Sequence, residues 1–166
     1  MEIYLVRHTT PYIGKGICYG QLDIPVEASL FEKELAVIKS KIPSAIATYY
    51  SSPLTRCNIL AQELFKNYTT DNRLMELRFG ENKSWDNIPP GELNLWMQDF
   101  VNVAPPNGES YNALHQRITA FVDDLLATEK ESAVIVTHAG NIRSFLSLAL
   151  GLPLQIHFVL RCRMGQ

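Results

Sequence analysis

No stretch of this sequence is apolar for long enough to cross a bilayer, and Met1–Val6 is too short for a secretory leader and runs straight into Arg-His. Cysteine is scarce: Cys18, Cys57 and Cys162 are odd in number, far apart and in no zinc-type pair. A disulfide framework is therefore not expected, and reduced thiols in the cytoplasm are. Positive charge is not in excess either. The net charge is −2, with no run of like charge, which excludes the basic footprint of a nucleic-acid binder and a polyionic tail. Internal repeats and low-complexity tracts are absent.

What is present is an ordinary globular composition over 166 residues, 46% hydrophobic and 19% charged, enough for one domain with a core. "EIYLV" (2–6) reads as a buried strand and "SAIATYYSS" (44–52) as a second. "ASLFEKELAVIKSKI" (28–42) carries Leu30, Phe31, Leu35, Ile38 and Ile42 near helical spacing, after the loop "CYGQLDIPVE" (18–27). "PLTRCNILAQELFKNY" (53–68) reads as a helix with Pro53 first. "DNRLMELRFGE" (71–81) reads as a short strand leading into a loop. Residues 82–108 read as an irregular, cap-like excursion with a helix near 91–102. A long helix starts at Ser110, with Tyr111, Leu114, Ile118, Phe121, Leu125 and Leu126 as its apolar stripe. "SAVIVTH" (132–138) is the most hydrophobic strand, and its helix ends at Gly151 and Pro153. "QIHFVLR" (155–161) reads as a last strand. This order predicts an α/β fold: a three-layer αβα sandwich around a mostly parallel sheet, one domain over 1–166.

In such sheets ligands bind beyond the carboxyl ends of the strands. Arg7, His8 and Thr9 follow the first strand, Ser51 and Ser52 end the second, and Arg56 lies one turn into the next helix. Glu76 falls in "LMELRFG", and His138, Ala139 and Gly140 follow "VIVT". Two arginines can clamp a phosphate dianion through their planar forks. A helix start at Gly140 can offer backbone N–H groups to the same oxygens. A neutral histidine can attack phosphorus, a second can stabilise the moving oxygens, and a carboxylic acid can protonate the leaving alkoxide. This set suffices for phosphomonoester hydrolysis with no metal and no cofactor. His115 and His157, within a helix and a strand, read as surface and edge positions.

The motifs "LVRHTTP" (5–11), "SSPLTRCNILA" (51–61), "RLMELRFGE" (73–81) and "VIVTHAGNIR" (134–143), with "PPNGES" (105–110), resemble the histidine phosphatase superfamily, in its phosphoglycerate mutase-like branch. The resemblance implies that fold. It also implies His8 as the phosphorylated nucleophile, Arg7 and Arg56 on the phosphate, His138 completing the pocket, Glu76 as proton donor, and Ala139 and Gly140 as backbone contacts. "RHTTP…CYGQLDIP" further resembles the α-ribazole phosphatases of cobalamin biosynthesis, which place Thr after Arg-His. Thr9, Tyr19 and Gly20 would then approach the substrate, a small phosphomonoester. Broad-specificity sugar-phosphate phosphatases share these motifs. So would a phosphoglycerate mutase, although 82–108 is short for one, or a binding module that kept the fold. A two-metal phosphatase would need carboxylates that do not flank His8 and His138. "FGENKSWDN" (79–87) is shorter than the family segment, and "LRCRMGQ" (160–166) stops early. A sheet edge left open there favours pairing of two copies.

Overall fold

The computed structural model describes residues 1–14, 17, 19–80 and 90–155. The apolar run Ala133–Val136 organises everything around it. It forms most of β4 (Ser132–Thr137), with residues 133–136 fully buried. A strand buried on both sides must meet apolar neighbours on each face, because successive side chains point oppositely. Ala133 and Ile135 pack with Leu114, Ile118 and Phe121 of α4 (Tyr111–Ala127) and Phe145 of α5 (Ala139–Leu150). Val134 and Val136 pack with Phe31, Leu35 and Ile38 of α1 (Ala28–Lys39) and Cys57, Leu60 and Ala61 of α2 (Thr55–Leu64). Helices thus cover both faces of the sheet, as the αβα reading expects.

The described sheet has four strands in the order β1-β4-β2-β3, all parallel: β1 is Glu2–Arg7, β2 Thr48–Ser51 and β3 Thr69–Thr70. Register places Arg7 opposite Thr137, and Ser51 opposite Val136. Three strands therefore end at one edge. No helix among the described residues is long and apolar enough to cross a membrane.

Several elements differ from the sequence reading. β2 starts at Thr48, four residues after the expected Ser44. α1 ends at Lys39 rather than Ile42. α2 starts at Thr55 and not at Pro53, because Asp23 of the preceding loop takes both the Thr55 N–H (2.7 Å) and its hydroxyl (2.9 Å), capping the helix there. It ends at Leu64, where Phe65 turns to extended backbone. The third strand lies at Thr69–Thr70, before the predicted 71–81. Asp71 accepts the Arg73 N–H at 2.8 Å and, through its carbonyl, the Leu74 N–H, which winds Asn72–Leu74 into one 3₁₀ turn. α3 spans Pro90–Gln98, shorter than 91–102 at its end. Leu126 is half exposed and outside the buried stripe of α4. All but the first residue of the expected strand 155–161, His157, Cys18, Cys162, the C-terminal edge and most of "FGENKSWDN" lie outside the described residues. α5 ends as read: Gly151 takes the left-handed conformation (φ 63°) that glycine adopts without strain.

Candidate active site

The strand register alone assembles most of the predicted residues. His8 follows β1 and donates its backbone N–H to Thr137 O at 3.0 Å, while Ser52 follows β2 and donates to Val136 O at 2.9 Å. His138 follows β4 and caps α5. The His8 and His138 rings come to lie 5.1 Å apart between centroids, although 130 positions separate them, and both are buried.

Hydrogen bonding distinguishes the two rings. His8 Nδ1 lies 2.7 Å from the Thr9 carbonyl, which can only accept, so Nδ1 carries the hydrogen and Nε2 the lone pair. Burial, with the Arg56 and Arg7 charges added, lowers the His8 pKa to about 3. His138 Nε2 lies 2.8 Å from Ser52 Oγ and 3.4 Å from Cys57 Sγ. Ser52 Oγ also takes the Leu54 N–H, at 3.4 Å, and still has both a hydrogen and a lone pair to offer Nε2, so this bond suits either tautomer of His138. Burial, then the charges of its neighbours, also holds His138 well below the usual histidine range. The Cys57 thiol, pushed up by burial, stays protonated and lies 3.5 Å from Thr137 O.

Two buried neutral histidines make the fold acid-sensitive. Above pH 6.5 neither the folded nor the unfolded chain protonates them, so their contribution to stability is fully present. Below it the unfolded chain takes up protons that the folded one refuses, down to about pH 3 for His8. Stability is then lost at up to about 1.4 kcal/mol per pH unit for each ring. Urea midpoints should fall from pH 6.5 to 4.5, and fall less steeply in His8→Asn, by about one proton's worth. Parallel slopes would mean that His8 titrates as a free imidazole.

Arg56 is fully buried. Its Nη1 donates to Leu22 O at 2.8 Å and its Nη2 to Gly20 O at 2.7 Å, and its guanidinium lies 5.2 Å from the Tyr19 ring centroid. Among the described residues no carboxylate is within ion-pair distance of it, and Nε is buried without a hydrogen-bond partner. A buried cation with a spare donor is suited to an anion. Thr9, also fully buried, has an unpartnered Oγ1. Arg7 at the end of β1 adds a second positive charge felt by His8 and Tyr19. Gly20 has φ 38°, and a Cβ there would sit 2.6 Å from Leu77 O, so the loop can approach residues 77–79 only as glycine.

Glu76 lies across from this loop. Its carboxylate accepts the Leu77 N–H at 2.9 Å and the Gly140 N–H at 3.4 Å. The amide that the sequence reading offered to phosphate is therefore directed at Glu76, and a Cβ on Gly140 would stand 2.3 Å from Oε1. Ala139, buried, opens the helix beside it.

Sequence reasoning missed four supporting residues: Ser52 as partner of His138, Asn141, Gln21 and Arg117. Asn141 Nδ2 reaches Leu74 O (2.5 Å) and Thr137 Oγ1 (2.7 Å), and Gln21 Nε2 reaches Glu76 O (2.9 Å). Only Ser52 and Asn141 gave a signal, as neighbours of strand ends. His115 is half-buried and bonded to Ser144 Oγ at 2.8 Å, not a bare surface residue.

The family model "Histidine phosphatase superfamily (branch 1)" matches residues 3–164. The chain is 27% identical to "Putative phosphoserine phosphatase 2" of Hydrogenobacter thermophilus, over 93% of this chain and 81% of that one. It is 30% identical to "Probable phosphoglycerate mutase GpmB" of Proteus mirabilis, over 98% and 81%. Among solved structures, the α-ribazole phosphatase from Shigella flexneri superposes with a TM-score of 0.87 over 99% of this chain and 87% of that one, at 21% identity, a likeness of fold.

Proposed function

This chain belongs to the histidine phosphatase superfamily, and on that premise we propose that it hydrolyses phosphomonoesters through a phosphorylated His8. The observation that carries the reading is the pairing of a buried, neutral His8, its lone pair left on Nε2, with a fully buried Arg56 that no carboxylate among the described residues neutralises.

Arg7 and Arg56 hold the dianionic phosphoryl group, with the Thr9 hydroxyl beside it. His8 Nε2 attacks phosphorus, the bond to the leaving oxygen breaks, and Glu76 gives that oxygen its proton. The phosphorylated ring keeps its Nδ1 hydrogen on the Thr9 carbonyl, which spreads the positive charge it acquires. His138 donates a ring N–H to the phosphoryl oxygens as their charge shifts. Water then attacks phosphorus, its proton goes to the Glu76 carboxylate, the N–P bond breaks, and phosphate leaves. Tyr19, Gly20, Ala139 and Gly140 line the approach.

For the substrate we propose α-ribazole 5′-phosphate, on the strength of Thr9 after Arg-His and of "YGQLDIP" (19–25). A second reading, a broader phosphatase of small phosphomonoesters, is favoured by the Hydrogenobacter relative, whose name specifies phosphoserine. Kinetics on α-ribazole 5′-phosphate, phosphoserine, ribose 5-phosphate and 3-phosphoglycerate decides. A kcat/KM for α-ribazole 5′-phosphate at least ~100-fold above the others supports the first reading, since specificity is differential transition-state binding. Comparable values support the second, and phosphate exchange on 3-phosphoglycerate without net release would point to a mutase.

Glu76→Gln should lower kcat/KM for alkyl phosphates by about 10²–10⁴-fold. It should hardly affect dinitrophenyl phosphate, whose leaving group needs no proton. Equal losses on both would remove Glu76 from the donor role.

A further inference from the structure

Arg117 sits on α4, away from the strand ends and unused in the steps above, yet its guanidinium is committed to the segment that bears Glu76. Nη1 donates to the Arg73 carbonyl, and Nη2 to the Glu76 carbonyl at 3.2 Å. On its other side Glu109 takes Nε at 3.2 Å and Nη2 at 2.8 Å, in an ion pair only 19% and 14% exposed. Glu109 in turn accepts the Arg78 N–H at 3.0 Å and donates its own N–H to Arg78 O at 2.8 Å.

The pair therefore grips the chain before, at and after Glu76. That stretch needs it. The 3₁₀ turn ends at Leu74, and residues 75–80 belong to no helix or strand, so their carbonyls have no ladder to satisfy them. A planar fork with five hydrogens makes these four bonds from three separated nitrogens, whereas a lysine has three hydrogens on a single nitrogen. Gln21 Nε2 also donates to the Glu76 carbonyl, at 2.9 Å. Fixing the Glu76 backbone fixes where its carboxyl reaches, and a misplacement of about 1 Å can cost roughly 10²-fold in rate.

We propose that Arg117, with Glu109 as its counter-charge, is a positioning residue for proton delivery by Glu76. This rests on the reading of Glu76 as proton donor. Arg117→Lys keeps the charge beside Glu109 and so keeps the fold, but loses the bridge between carbonyls. Its kcat/KM for an alkyl phosphate such as ribose 5-phosphate should fall about 30- to 100-fold, and its kcat/KM for dinitrophenyl phosphate less than about 3-fold. Added to Glu76→Gln, it should cost nothing further, because a residue acting through another is not additive with it. Equal losses on both substrates, or a full additional loss in the double variant, would overturn the proposal and leave Arg117 a purely structural residue. Should Glu76→Gln itself show no leaving-group dependence, the donor reading fails instead. If Glu76→Gln shows that dependence and Arg117→Lys does not, only the positioning role fails.

Discussion

His8→Ala is expected to lower phosphomonoester turnover by at least roughly 10⁴-fold and to abolish labelling of the protein by a radioactive phosphomonoester. Among the described residues no other group is placed to take over: His138 Nε2 is engaged with Ser52 Oγ at 2.8 Å. The Cys57 thiol is held protonated by burial. In the unsubstituted protein the label should be lost in acid and kept in alkali, the behaviour of an N–P bond and the reverse of a serine ester. Because His8 is neutral down to about pH 3, formation of the labelled species should show no histidine-like fall between pH 7 and 5. A His8→Ala protein that still turns over within tenfold of the original, or still labels, would end the phosphohistidine mechanism for this chain.

Arg56→Met is expected to lower kcat/KM by about 10³-fold and to remove the thermal stabilisation that inorganic phosphate gives the original protein. Two opposing effects act on the fold. Methionine deletes a buried charge with no counter-ion among the described residues, a gain when the replacement packs well. It also orphans the Gly20 and Leu22 carbonyls, at about 1–3 kcal/mol each if they stay dry. The free protein should therefore remain folded, with a melting temperature close to or below the original. The decisive readout is the phosphate-dependent shift. A ligand at one hundred times its Kd stabilises by about 2.7 kcal/mol, visible as several degrees in the original protein. Persistence of that shift in Arg56→Met would take Arg56 out of the phosphate site. Arg56→Lys should fall between, since it keeps the charge but its three donors sit on one nitrogen and lack the spread of the fork that reaches Leu22 O and Gly20 O.

The fold was legible where a local pattern and its tertiary setting agree. "AVIV" is apolar on both alternating faces and rich in β-branched residues, as a strand buried on both sides is, and Gly151 with Pro153 stops the helix as read. The reading slipped where a distant partner decides. Asp23 moves the start of α2 from Pro53 to Thr55 across 32 residues. The strand expected at 71–81 is replaced by a turn, because Asp71 caps it and side chains from α4 and α5 take over the carbonyls that a strand partner would have held. Leu126 follows the buried Leu125 but is turned about 100° from it around α4, and lies exposed.

By itself the sequence offered the groups of the proposed chemistry: two histidines, two arginines and a carboxyl, each at or near the end of an element. Residue type and local period carry that information because they act within a few positions. Only the tertiary structure decided the protonation states and the aim. Whether His8 presents a lone pair depends on the Thr9 carbonyl and on burial. The placement of Glu76 rests on hydrogen bonds from Gly140, Gln21 and Arg117, drawn from the loop after β1 and from α4 and α5. These are contacts between residues some 40 to 65 positions apart, and neither composition nor spacing encodes them, since hydrogen-bond geometry exists only once the chain has packed.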